Sequence, residues 1–232
     1  MHRPALIFAY SLVLALIIAP ACAQTPLLPP APLSTYTYYD SVPGGSLAIV
    51  SVIGQPFTQA ARIVTAGTGA NVYDAQFAWN TTAAVTQGDL LVLSFWARRL
   101  SPLDGRPIEA QVVVERNGGD YVHSLTCSFP NDSAQWRLFT VPFRAVATHP
   151  AAEARIAFQF SIGPQSFELG GISALNYGPN TPPSSIATSF YYPGQDLDAP
   201  WRTAAAARIE QHRKGELSVR VIDCVGNPVP DA

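Results

Sequence analysis

Apolar and polar side chains alternate with a period of two along most of the chain. The longest such run follows the turn pair Gly88-Asp89: Leu91, Leu93, Phe95 and Ala97 fall on one face, and Leu90, Val92, Ser94, Trp96 and Arg98 on the other. A run of this period, bounded by a turn and by Ser101-Pro102, predicts a strand rather than a helix. The first face is wholly apolar and belongs in a core. The second turns amphipathic at Trp96 and Arg98, where a flat ring and a planar cation can meet solvent or a ligand. This run is read as a central strand of a two-sheet sandwich.

Further strands are predicted over residues 36–39, 47–52, 60–65, 72–79, 109–116, 121–129, 136–143, 154–162 and 167–175. Pro43-Gly44-Gly45 supplies one turn, and Asn117-Gly118-Gly119-Asp120 closes a hairpin between 109–116 and 121–129. In 154–162, Ile156, Phe158, Phe160 and Ile162 share an apolar face, opposed by Arg155, Ala157, Gln159 and Ser161. In 109–116, Gln111 and Glu115 share a side. Short strands at regular spacing predict an all-β fold, a sandwich or jelly roll. One C-terminal helix follows, over residues 201–214, with Asp198 as its cap, Pro200 in its first turn and Gly215 as its stop. A short strand over 216–223 comes after it.

Composition fits this picture: 48% of the 232 residues are hydrophobic and 13% charged, with 21 Pro and 16 Gly, so a core and frequent turns are both expected. The net charge of −2 offers no basic surface for nucleic acid, which is not an expected partner. Residues 1–23 read as a signal peptide: His2 and Arg3, an apolar run, then Ala21-Cys22-Ala23 before a cut at Gln24. The alternative is a lipid anchor on Cys22. Secretion is the expectation, with no membrane association after cleavage. Residues 24–35, rich in proline, read as a stiff leader without a core. Residues 36–178 form the sandwich, 179–199 a linker, and 200–232 the start of a further region. Cys127 and Cys224 either pair or stand as two free thiols.

Three stretches carry a resemblance. They are Pro56-Phe57-Thr58-Gln59-Ala60-Ala61-Arg62, then Gly88-Asp89 with Ser94-Phe95-Trp96-Ala97-Arg98, then Gly163-Pro164-Gln165 with Phe167-Glu168-Leu169-Gly170-Gly171-Ile172. In this order they resemble the jelly-roll carbohydrate-binding modules of families 4, 9 and 22. Trp201-Arg202, Ala207-Arg208-Ile209-Glu210, Arg213-Lys214 and Leu217-Ser218-Val219-Arg220-Val221 resemble the lead-in to a family 10 glycoside hydrolase, usually a xylanase. The resemblance implies a jelly-roll β-sandwich serving as a secreted, non-catalytic module that brings a downstream catalytic domain to plant polysaccharide, xylan or β-glucan. Alternatives are a structural jelly roll packed on the catalytic barrel without binding glycan, and a fragment of a complete endo-1,4-β-xylanase.

Sugar binding needs rings that stack on pyranose faces and planar polar groups that hydrogen-bond hydroxyls. Strand alternation places Trp96, Arg98, Gln111, Glu115 and Gln159 on an open face. The resemblance implies stacking roles for Tyr73 and Tyr121, where family 22 modules carry ligand-facing rings. Trp79 and Trp96 read equally as stacking surfaces and as buried indoles, and Trp136 as core. Glu115 reads also as a solvated rim charge that Arg98 bridges across the sheet, and Glu168 as an acceptor of backbone amides. No Gly-x-Ser-x-Gly, His-Glu-x-x-His or Cys-x-x-Cys motif is present. No catalytic residue, cofactor or metal is expected, Gly170-Gly171 standing where the resembled modules often carry a paired Asp.

Overall fold

The computed structural model describes residues 24–101, 106–189, 200–213 and 215. The expected signal peptide, the strand over 216–223, Cys22 and Cys224 lie outside the described residues. Two antiparallel sheets face each other. The first runs β3 (Ser46–Ser51), β4 (Gln59–Thr65), β11 (Gln165–Asn176), β6 (Leu90–Ser101), β9 (Arg137–Arg144), with the two-residue β1 (Thr25–Pro26) also paired to β11. The second runs β2 (Thr37–Asp40), β5 (Ala75–Asn80), β10 (Ala154–Gln159), β7 (Gln111–Arg116), β8 (His123–Ser128). Chain neighbours repeatedly cross from one sheet to the other, as in a jelly-roll β-sandwich.

The core is the set of inward residues that alternation predicts. Leu91, Leu93, Phe95 and Ala97 of β6 are buried against Ile156 and Phe158 of β10, Phe77 and Trp79 of β5, and Val112 and Val114 of β7. Phe95 joins the layers: its ring stacks on Phe139 at 5.2 Å within its own sheet and meets Phe158 edge-on at 4.9 Å from the other. Each ring so buried contributes about 1.5–3 kcal/mol.

Several expectations change. The proline-rich leader belongs to the core: Leu27 and Leu28 are buried in it, and the carbonyl of Pro32 accepts the Trp79 indole N–H at 2.7 Å. An indole N–H cannot enter an apolar core unpaired, so the leader supplies the acceptor. Residues 72–74 form a 3-10 turn capped reciprocally by Asn71 and Asp74 instead of opening β5. β10 ends at Gln159, leaving Ile162 exposed. Past β11 the chain stays on the sandwich: Arg144 donates to the carbonyls of Gly88, Pro179 and Thr181 at 2.7–2.9 Å, and Ser189 pairs with Thr140 beside the edge strand β9. That cover protects an edge which would otherwise template pairing with another chain. The helix α1 (Pro200–His212) has no buried residue. No described helix is long and apolar enough to cross a membrane.

Candidate functional site

A groove of about 560 Å³ crosses the outer face of the second sheet. Three rows set by strand register lie on this face, and the groove is lined by residues of the two outer ones together with Val72, Tyr73 and Tyr121. One row is Tyr39–Gln76–Gln159–Gln111, drawn from β2, β5, β10 and β7. The next is Ala78–Ala157–Val113, and the third is Asn80–Arg155–Glu115–His123. Since β-strand residues two apart share a face, all three rows point away from the core. The middle row is small and apolar and forms its own buried cluster beneath the long side chains on either side.

The amide row is a ladder. Gln111 Nε2 donates to Gln159 Oε1 at 2.7 Å, and Gln159 Nε2 approaches Gln76 Oε1 at 3.5 Å. The charged row is tighter. Arg155 donates from Nε and Nη2 to Glu115 Oε1 at 2.7 and 2.6 Å. His123 donates from Nε2 to Glu115 Oε2 at 2.6 Å, leaving Nδ1 against Thr126 Oγ1 at 2.8 Å. Glu115 is 3% exposed, and both its oxygens are engaged. A buried carboxylate is tolerable only when so paired. The contact with His123 depends on a β-bulge: the pairing slips between Val114 and Glu115, so that Glu115 faces His123 and not Ser124.

Two tyrosines flank these rows. Tyr73 stands in the 3-10 turn before β5, beside Gln76, and is 49% exposed. Tyr121 stands in the β7–β8 hairpin, beside the charged row, and is 48% exposed. Arg155 Cζ lies 5.5 Å from the Tyr121 ring centroid, which holds the ring against the charged row. Tyr121 adopts φ +48°, a left-handed conformation that costs a residue with a bulky side chain about 1–2 kcal/mol. Gly118 and Gly119, both at positive φ, carry the rest of the turn.

Of the residues singled out by sequence, Tyr73, Gln111, Glu115, Tyr121 and Gln159 line this groove. Trp79 does not reach it, being buried between the sheets. Trp96 and Arg98 lie on the outer face of the other sheet. There Arg98 pairs with Glu168 at 2.6 Å and its guanidinium lies 4.8 Å over the Trp136 ring, while Trp96 contacts Phe57. The expected bridge between Arg98 and Glu115 is thus absent, because β6 and β7 belong to different sheets. Glu168 accepts from Arg62 and Arg98 in place of backbone amides. Trp136 is partly exposed on this outer face and not in the core.

Sequence reasoning missed Gln76, His123 and Arg155. Arg155 and Gln76 alternate with core phenylalanines, so the signal was present; the bulge that brings in His123 left no mark in the sequence. Among the described residues no group of three or more His, Cys, Asp or Glu side chains is placed to hold a metal ion.

No family model matches the chain, and no curated protein matches it in sequence. Solved structures are similar in fold. A carbohydrate-binding module of family 4 is 20% identical, covering 62% of this chain and 95% of its own, with a TM-score of 0.47. The N-terminal cellulose-binding domain of Cellulomonas fimi β-1,4-glucanase C is 18% identical over 75% of this chain and 99% of its own, at 0.45. The CBM22-1 xylan-binding domain of Paenibacillus barcinonensis Xyn10C is 10% identical over 61% and 85%, at 0.41. At these identities the likeness is one of fold.

Proposed function

We propose that the chain is a non-catalytic polysaccharide-binding module that seats a glycan chain in the groove of the second sheet. One observation carries this reading: two half-exposed tyrosines stand on either side of a floor lined by amides and a fixed guanidinium. Rings of this kind cover the apolar faces of pyranoses, and planar amides and guanidinium groups hydrogen-bond paired hydroxyls. Cleavage is disfavoured, because glycoside hydrolysis needs two carboxyl groups across the scissile bond. Among the described residues Glu115 is the one carboxylate lining the groove, and both its oxygens are already taken.

The finer part of the proposal is that the polysaccharide is xylan or β-glucan, that the protein is secreted, and that the module serves a xylanase-type hydrolase. The signal-like residues 1–23 and the family 10-like stretch after Trp201 support it. Affinity gel electrophoresis of the chain in soluble xylan, β-glucan and mannan tests the reading. Retardation in xylan or β-glucan is expected, weakened at least about tenfold in a folded Tyr73→Ala/Tyr121→Ala variant. Unretarded migration in all three gels would overturn it in favour of a structural jelly roll.

A further inference from the structure

Hydrogen-bond inventory in the charged row separates what the groove contains from what it presents. Glu115 is buried and has spent Oε1 on Arg155 and Oε2 on His123. Its negative charge therefore faces its own partners. Arg155 has five N–H donors and spends one on Nε and one on Nη2, so three remain, and its side chain is 20% exposed. His123 is 43% exposed. The flanking carboxylates are occupied elsewhere: Asp120 pairs with Arg116 at 3.5 Å, and Asp74 accepts the Asn71 N–H at 2.9 Å. Neither lines the groove. The opposite row is uncharged.

From this we infer that the groove prefers a glycan bearing carboxylate groups, a uronic-acid-substituted chain, with Arg155 as the residue that reads the carboxylate. The inference rests on the groove being a polysaccharide site. A carboxylate is planar and matches the fork of the guanidinium donors left over. Arg155 is held for the task from two sides, by Glu115 below and by the Tyr121 ring over its Cζ. Glu115 is then a positioning residue rather than a ligand contact. Its charge also keeps the site from being a bare cation, so a neutral backbone chain is still accepted between the tyrosines.

The test compares glucuronoxylan with the same polymer after carboxyl reduction, titrated into the full chain by calorimetry at two salt concentrations. Binding to the acidic polymer is expected to be about tenfold tighter, the ratio that one charge-assisted hydrogen bond to a partly exposed anion gives. The gap should narrow as salt is raised. A single Arg155→Gln change would strand the buried Glu115, so the second arm is Arg155→Gln/Glu115→Gln. This variant keeps the net charge and a hydrogen-bonded pair, and its folding is checked by thermal melting. There the ratio should fall to about one. Equal affinity of the wild-type chain for the two polymers overturns the inference. So does a preference that survives in the folded double variant, which would place the anion contact elsewhere, for instance at Arg62 and Arg98 of the other sheet. Failure of both polymers to bind, with no retardation in β-glucan or mannan, would instead remove the polysaccharide reading itself.

Discussion

The outer faces of the two sheets share one arrangement, a buried carboxylate held between two nitrogen donors. On the second sheet, buried Glu115 sits between Arg155 and His123; on the first, Glu168, fully buried, sits between Arg62 and Arg98. Each trio stands beside an aromatic ring that meets a guanidinium, Tyr121 in one case and Trp136 in the other. Yet a groove forms on one side and a packed surface on the other. The difference lies in what folds across. Over the first sheet the β3–β4 loop lays Phe57 onto Gly170 and Gly171, where it also meets Trp96 and Trp136. Over the second sheet nothing comparable crosses among the described residues: Tyr73 and Tyr121 flank the floor, and the residues between the charged and amide rows are too small to fill it. Strand residues of similar chemistry make a site only where the loops leave them uncovered.

If the faces are separate in this way, removing the two glutamates should have different consequences. Glu168→Ala leaves two arginines facing a vacated carboxylate site. Both arginines reach solvent, so the loss belongs near the low end for a broken buried pair, about 2–3 kcal/mol by urea unfolding. Polysaccharide affinity of the folded variant should not change. Glu115→Ala should lose comparable stability and, with Arg155 and His123 released, affinity as well. A Glu168→Ala protein that stays folded but binds glycan more weakly would break the comparison.

A smaller loss tests the cover itself. Gly171 has φ +56°, and a Cβ there would lie 2.9 Å from both Phe57 and Trp96. Gly171→Ala should cost about 1–2 kcal/mol from backbone strain and from lifting Phe57. The change in tryptophan fluorescence should report a more exposed Trp96, again with glycan binding intact. Should the glycine change leave both stability and fluorescence as they were, the ring packing would not be what closes this face.

These contrasts show where the sequence was readable. Alternation in β6 correctly separates Leu91, Leu93, Phe95 and Ala97 from Trp96 and Arg98, because a period of two is a property of the strand alone. Which sheet a strand joins is not. β6 and β7 both present polar residues outward, and only long-range pairing puts Gln111 and Glu115 beside Gln159 and Arg155 while sending Trp96 and Arg98 to the opposite surface. The same holds for Trp79: an indole between Ala78 and Asn80 reads either way until its N–H finds an acceptor, here on a leader that composition marks as coreless. The resemblance alone singles out Tyr73 and Tyr121: alternation draws both into the strands read over 72–79 and 121–129, whereas they stand in the turns that precede β5 and β8.

On the groove side, stability and affinity should part company at Tyr121. Its left-handed backbone is a cost carried by a residue that the fold does not need in the core. Asparagine accepts that conformation more readily than tyrosine. Tyr121→Asn should therefore hold stability or raise it by up to about 1 kcal/mol, while weakening polysaccharide binding about tenfold. A core role for the ring predicts the reverse, a marked loss of stability with little change in binding.

The smallest effect concerns the strand that separates groove from core. β8 turns His123 and Thr126 toward the groove row and packs Leu125 and Cys127 against the inner residues. Burial pushes the Cys127 thiol above its ordinary range. Below about pH 8.5 the thiol is protonated in folded and unfolded chains alike, and it takes nothing from stability. Above that the unfolded chain ionises first, so stability falls as pH rises until the folded thiol ionises too. Tyr38, raised by burial and then by its hydrogen bond to Asp40, adds a loss of the same sign only at higher pH. Urea midpoints measured from about pH 7.5 to 9.5, a window below the tyrosine range, should decline more steeply for the native chain than for Cys127→Ala. Parallel profiles would mean that Cys127 is already as hydrated as in the unfolded chain, and that the inner side of β8 is less closed than the side bearing the groove.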